Sequence, residues 1–188
     1  MANTDYSKYL AHLLDQRDFK LDAIVNKVMA CIESGNSIWI MGNGGSASTA
    51  EHFETDLSFI RLGNSVPSLK VSSLTANSAL ITAIANDIGF EYIFSHQLVR
   101  KATLGDLCIV ISASGNSANL LQAINTAKQL NLVTVGILGF DGGKLAEMID
   151  CSIIVRTEIG KYGPVEDIHL SICPVSYTHL TLPTSDLV

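Results

Sequence analysis

Positive charge is scarce in this chain. Its 188 residues carry 12 lysines and arginines against 18 aspartates and glutamates, a net charge of -6. A nucleic-acid partner needs a basic face, so none is expected. An anionic ligand would have to be held locally, by backbone amides and hydroxyls. Paired cysteines are also missing. Cys31, Cys108, Cys151 and Cys173 form no C-x-x-C motif. They read as reduced, buried thiols rather than as disulfides or a zinc cluster. No apolar run approaches the roughly 20 residues of a membrane span. The start, Met1-Ala-Asn-Thr-Asp-Tyr, has no basic segment followed by an apolar stretch. No signal peptide is therefore expected, and the expected compartment is the cytoplasm. No Gly-Lys-Ser/Thr exists to form a Walker loop.

What is present is an alternation of apolar runs and helical patterns. Hydrophobic residues make up 47% and charged residues 16%, as in a globular protein with a sizeable core. Strands are expected at Ser37–Met41, Ser68–Ser72, Leu107–Ser112, Leu132–Leu138 and Cys151–Val155. Three of these are apolar almost throughout, as in a parallel sheet covered on both faces. Helices are expected at Thr4–Leu14, Leu21–Ser34, Ser46–Phe59, Asn77–Asn86, Phe90–Lys101 and Ser117–Leu130. The pattern predicts an α/β fold, a doubly wound parallel sheet of five strands flanked by helices. The two N-terminal helices precede the first strand. Their apolar stripes bury either against a partner subunit or against their own sheet.

Two loops carry the chemistry. The first strand runs into Gly42-Asn43-Gly44-Gly45-Ser46, where a helix opens. The third runs into Ser112-Ala113-Ser114-Gly115-Asn116-Ser117, where another opens. Small residues at a strand's carboxyl end and a helix N-terminus favour an anion. Glycine lets backbone approach a ligand, and serine adds donors without bulk. Ser46 and Ser117 taken singly read as helix caps. Together the loops predict a phosphate site. The second strand ends in Val71-Ser72-Ser73 with no acid for a ribose, which favours a small phosphorylated metabolite over a dinucleotide.

Ionisable groups are fewer. His52 and Asp56 are four apart on one helix face, while Glu51 and Glu54 are expected to point into solvent. Glu166 and His169 share a side of the last helix. Histidine with carboxylates suits a divalent metal or proton transfer, although His169 alone reads as a packed or surface residue. His12, His96 and His179 carry less. Asn86-Asp87 reads as a helix end and turn.

Taken in order, Gly42-Asn43-Gly44-Gly45-Ser46, Ala50-Glu51-His52-Phe53, Ala85-Asn86-Asp87, Ser112 to Asn119 and Val165-Glu166-Asp167-Ile168-His169 resemble the SIS (sugar isomerase) fold, most closely its phosphoheptose isomerase branch. The resemblance spans residues 1–173, with N-terminal helices over 1–36 and an αβα core over 37–173. It implies a homotetramer that converts sedoheptulose 7-phosphate to D-glycero-D-manno-heptose 7-phosphate, for the heptose of the lipopolysaccharide envelope. It implies substrate contacts at Asn43, Gly44, Gly45, Ser46, Asn86, Asp87, Ser112, Ala113, Ser114, Ser117 and Glu166. It implies catalysis by Asp56 and a zinc site on His52, Asp56 and Glu166. Three positions depart from the family pattern. Asp56 stands where a glutamate is usual, Glu166 where a glutamine is usual, and Pro174 where the catalytic histidine is expected. The resemblance thus implies a chain that binds sugar phosphate and isomerises it poorly. Other readings are an isomerase for a different sugar phosphate, or a non-catalytic adaptor of a replication initiator.

Pro174 also marks a change of character. Proline inside a helix costs about 3 kcal/mol, and the tail that follows, to Val188, lacks a helical period. The last helix is expected to stop there after about two turns. Residues 174–188 are expected to lie outside the native fold, as a frame-shifted or chimeric addition.

Overall fold

The computed structural model describes residues 3–15, 21–59 and 69–181, and side chains within these from residue 5 to residue 173. Two helices come first, α1 (Asn3–Leu14) and α2 (Leu21–Glu33). The core then runs β1 (Ser37–Met41), α3 (Gly45–Phe59), β2 (Lys70–Ser73), α4 (Ser78–Asp87), a 3-10 turn (Phe90–Tyr92) and α5 (Ser95–Lys101). It continues with β3 (Leu107–Ser112), α6 (Ala118–Gln129), β4 (Val133–Gly139), α7 (Gly143–Met148), β5 (Cys151–Val155) and α8 (Tyr162–Thr181).

The five strands form one sheet in the order β2-β1-β3-β4-β5, with every pairing parallel. Alternate side chains leave each strand on opposite faces, and that alternation builds two cores. Ile38, Ile40, Ile109, Ile111, Ile137 and Val155 pack under α1, α2, α3 and α8. Met41, Cys108, Val110 and Leu138 pack under α4 to α7. Every residue of β3 is buried, as the central strand of a doubly covered sheet must be. The strand order reverses at β1. The chain therefore leaves β1 on one face and β3 on the other, and a crevice opens between them at their carboxyl ends.

α2 buries Ile24, Val28, Cys31 and Ile32 against the sheet, and α1 adds Leu13. Tyr6 on α1 donates to Asp167 of α8 at 2.5 Å. These helices thus bury their main stripes within their own chain. All four cysteines are unpaired, with Cys31, Cys108 and Cys173 buried.

Three expectations need correction. The helix expected over Phe90–Lys101 is broken: a 3-10 turn precedes α5, and Ile93 and Phe94 turn inward to near-complete burial between them. α7 had no counterpart among the expected helices, because it is short and opens on Gly142-Gly143. α8 does not stop at Cys173 but runs through Pro174 to Thr181. Proline removes the bond to the carbonyl four residues back, that of Leu170. Leu170 is 44% exposed, so water can satisfy that carbonyl. Upstream, Val165, Ile168, Ile172 and Cys173 anchor the helix in the core. Ser68 of the expected second strand and residues 182–188 of the tail lie outside the described residues.

Candidate functional site

Both loops open into the crevice. A pocket of about 170 Å³ is lined by Asn43 and Ser46 from the β1–α3 junction, Ile111 to Ser114 and Ser117 from the β3–α6 junction, and Tyr162 and Glu166 from α8. The loops therefore face one another across a shared space.

The first loop is shaped by its glycines. A Cβ on Gly42 would lie 2.5 Å from the Ser46 carbonyl oxygen. Gly44 has φ +56° with open space beside it, which leaves its backbone free to meet a ligand. α3 begins at Gly45, so the buried Ser46 lies inside the helix rather than at its cap. The Asn43 and Asn119 side chains exchange two hydrogen bonds, of 2.9 and 2.8 Å. This pair straps the first loop to the start of α6.

The second loop is held from below. Gly115 has φ +61°, and a Cβ there would lie 1.9 Å from the Gly142 carbonyl oxygen. The Gly115 carbonyl accepts from the Leu145 amide at 3.0 Å, and Asn116 Oδ1 accepts from the Lys144 amide at 3.1 Å. α7 thus braces the loop. Ser112 Oγ accepts from the Gly115 amide and Ser114 Oγ from the Asn116 amide. A hydroxyl that accepts from backbone keeps its own proton to donate. Ser117 stands at the α6 cap without using its side chain as a cap. Its hydroxyl is therefore available in the pocket, and the simple capping role fails for this residue.

The remaining expected residues separate. Asn86 and Asp87 do not line the pocket. They end α4, both exposed, with Asn86 Nδ2 donating to Asp87 Oδ1 at 2.8 Å. His52 Nε2 lies 3.4 Å from Asp56 Oδ2. At 1.5 Å per residue, Asp56 is about 16 Å along α3 from Gly45, and it does not line the pocket either. Its near neighbour is Cys173, whose thiol is pushed up to about 12 by burial and, secondarily, by the Asp56 charge. Glu166 stands at the other end of α3, against Gly45. Among the described residues no three His, Cys, Asp or Glu side chains gather to hold a metal. The expected zinc set of His52, Asp56 and Glu166 is therefore not gathered within one chain: His52 and Asp56 stand together as two donors, and Glu166 lies at the other end of α3.

Glu51 and Glu54 are not simply solvated. Glu54 accepts from the Ser73 amide at 2.9 Å and Glu51 from the Thr75 hydroxyl at 3.1 Å, so both tie α3 to the end of β2. His169 is buried, with neither ring nitrogen hydrogen-bonded among the described residues. Burial pushes it down to about 4. The Leu138 backbone opposes this from nearby but without hydrogen-bond geometry.

Two contributors to the site were not singled out from the sequence. Tyr162 lines the pocket at the first position of α8, and Asn119 fixes Asn43. A broader concavity of about 650 Å³ lies beside α5 and α6, around Tyr92, His96 and Arg100. It contains neither loop and opens widely to solvent.

Comparison with known proteins agrees with this geometry. Residues 3–139 match the SIS domain family. The chain is 35% identical over 145 residues to a phosphoheptose isomerase of Rhodospirillum rubrum, covering 77% of this chain and 76% of that protein. It is 40% identical over 132 residues to one from Trichlorobacter lovleyi, covering 70% and 67%. Among solved structures, a phosphoheptose isomerase from Neisseria gonorrhoeae superposes with a TM-score of 0.78 at 26% identity, over 94% of this chain and 91% of that one. By sequence and by fold, the chain belongs to the SIS domain family, in its phosphoheptose isomerase branch.

Proposed function

We propose that the protein is a ketose–aldose isomerase that interconverts sedoheptulose 7-phosphate and D-glycero-D-manno-heptose 7-phosphate. The observation that carries this reading is the convergence of both loops on one pocket. Amides at the start of α6 and the hydroxyls of Ser112, Ser114 and Ser117 suit a phosphoryl group. Holding that end fixes the reacting carbons, which converts encounter into orientation.

The reaction moves two protons. A base takes one from C1, whose C–H electron pair becomes the C1=C2 bond while the carbonyl pair moves to O2. That proton returns to C2, and the O1 proton passes to O2. Two carboxylates are candidates for the base. Glu166 lies inside the pocket, and Asp56, marked by the family resemblance, is braced by His52. The variant, Glu166→Gln or Asp56→Asn, that loses turnover while keeping phosphate binding carries that step. With Pro174 in place of the expected histidine, turnover is slow.

A tetramer is part of this proposal. The exposed Ile88, Phe90 and Val99 around α4 and α5 offer apolar surface for a neighbouring copy. The cytoplasm and a role in envelope heptose synthesis complete the reading. No step is assigned to zinc. The test is sedoheptulose 7-phosphate with the purified chain, followed by NMR for solvent deuterium at C1 and C2, beside a thermal-shift panel of C5 to C7 sugar phosphates. A bound ligand raises the melting temperature. No exchange and no shift with any of these sugars would sink the proposal.

A further inference from the structure

The pocket has two chemically different walls. The strand-end loops contribute small residues, hydroxyls and helix amides. The opposite wall is the first turn of α8, which contributes Tyr162 and Glu166. Four residues apart on a helix, these share one face. Among the described residues they are the two ionisable side chains that line the pocket, and no described lysine, arginine or histidine lines it.

Glu166 is aimed at the first loop. A Cβ on Gly45 would lie 2.5 and 2.8 Å from its two carboxylate oxygens, so the glycine makes room for them. Among the described residues the carboxylate has no hydrogen-bond or ion-pair partner. The adjacent cation, Lys161, is engaged with Glu158 at 3.0 Å and lies 5.6 Å from the Tyr9 ring centroid. The carboxylate thus has no cationic side chain beside it where a ligand would pass, and only the first turn of α3 at Gly45 faces it. Tyr162 stands at the mouth, 51% exposed. Its ring meets that of buried Phe140 edge-on, at 5.1 Å between centroids and 78° between planes. The pocket's volume of about 170 Å³ is below the roughly 300 Å³ at which small-molecule sites begin. Anything larger than a phosphoryl group and its first carbons must run out along the α8 wall.

We propose that Tyr162 and Glu166 make this a site for phosphate monoesters of neutral sugars, and that Glu166 turns away ligands with a second anionic group. The cradle's donors serve one phosphoryl group, and a further anion would meet an unpaired carboxylate. This rests on the sugar-phosphate reading above and narrows its substrate class.

Titration calorimetry on the intact chain tests it, with inorganic phosphate, sedoheptulose 7-phosphate, ribose 5-phosphate, fructose 1,6-bisphosphate and 6-phosphogluconate. The wild type should bind the two monoesters of neutral sugars about tenfold or more tighter than the two ligands with a second anionic group. Glu166→Gln should close most of that gap, and Glu166→Asp, which keeps the charge, should retain it. Tyr162→Ala should weaken the monoesters about fivefold, and Tyr162→Phe should not. Inorganic phosphate binding reports an intact cradle in each variant. A wild type that binds both ligand classes equally overturns the inference. So does a Glu166→Gln variant with wild-type phosphate binding and an unchanged gap. Either result leaves the isomerase reading standing. A wild type that binds no sugar phosphate overturns both.

Discussion

His169 allows a quantitative prediction about acid. It sits on α8 over the sheet, 0% exposed, with neither ring nitrogen hydrogen-bonded among the described residues. Burial disfavours the imidazolium, and the folded value falls to about 4 from 6.5. The fold thus prefers the neutral ring. Its contribution is complete above about pH 6.5, the unfolded value, and is lost as pH falls through the folded value. Linkage makes the loss about 2 kcal/mol between about pH 7.5 and pH 5, with a ceiling of about 3 kcal/mol well below pH 4. Replacing His169 by Leu removes both the titration and two unpartnered polar atoms, so stability near pH 7.5 should hold or rise by about 1 kcal/mol. The assay is urea unfolding of wild type and His169→Leu at both pH values. For a slope of about 2 kcal/mol per molar, the midpoint gap between the proteins should widen by about 1 M at the lower pH. Parallel loss of stability in the two proteins would refute the reasoning, since every other titrating group is common to both.

Gly115→Ala should cost about 2 kcal/mol or more in urea unfolding, because φ is +61° and the new methyl would meet the Gly142 carbonyl. A wild-type midpoint would mean the loop relaxes freely. Asn119→Ala leaves Asn43 unstrapped. It should weaken sugar-phosphate binding about tenfold by calorimetry with little change in melting temperature, and Asn119→Asp, which can still accept one bond, should fall between. Pro174→His restores a histidine at the position marked by the family pattern and removes a proline from the interior of α8. Isomerase turnover should rise, and unchanged turnover would mean that the missing histidine is not what limits it.

The sheet was legible because both its faces are covered. Ser37–Met41, Leu107–Ser112 and Cys151–Val155 appear with the boundaries expected from sequence, since covering a sheet on both faces makes its strands short, largely apolar runs. Where local signals failed, long-range packing decided. Phe90 to Lys101 has an unbroken helical pattern, yet Gln97 donates to the carbonyls of Leu74 and Ile93 at 2.9 Å each, and that buried tie sets α5 apart from the preceding turn. Proline at 174 has a real local cost, but a helix already anchored by Val165, Ile168, Ile172 and Cys173 can carry it.

The site divides along the same line. Its loops could be read from sequence because each is contiguous: glycines and serines between a strand and a helix declare an anion cradle without reference to anything distant. That the cradles meet could only follow from strand order, and here β1 and β3 are neighbours with their helices on opposite faces. The partners that make the site specific are separated by long stretches of chain. Asn43 is fixed by Asn119, Gly45 faces Glu166, and Tyr162 rests on Phe140. None of these pairs has a periodicity or a fixed spacing to betray it. The resemblance marked Asp56 for proton transfer by its place in a motif, whereas among the described residues it is Ser46, from the first turn of α3, that lines the pocket. Placing Glu166 beside that turn puts a carboxylate of α8 where the helix dipole of α3 is most positive. The fold thereby offsets part of that field before any ligand arrives, which leaves the α6 end of the pocket as the stronger anion site.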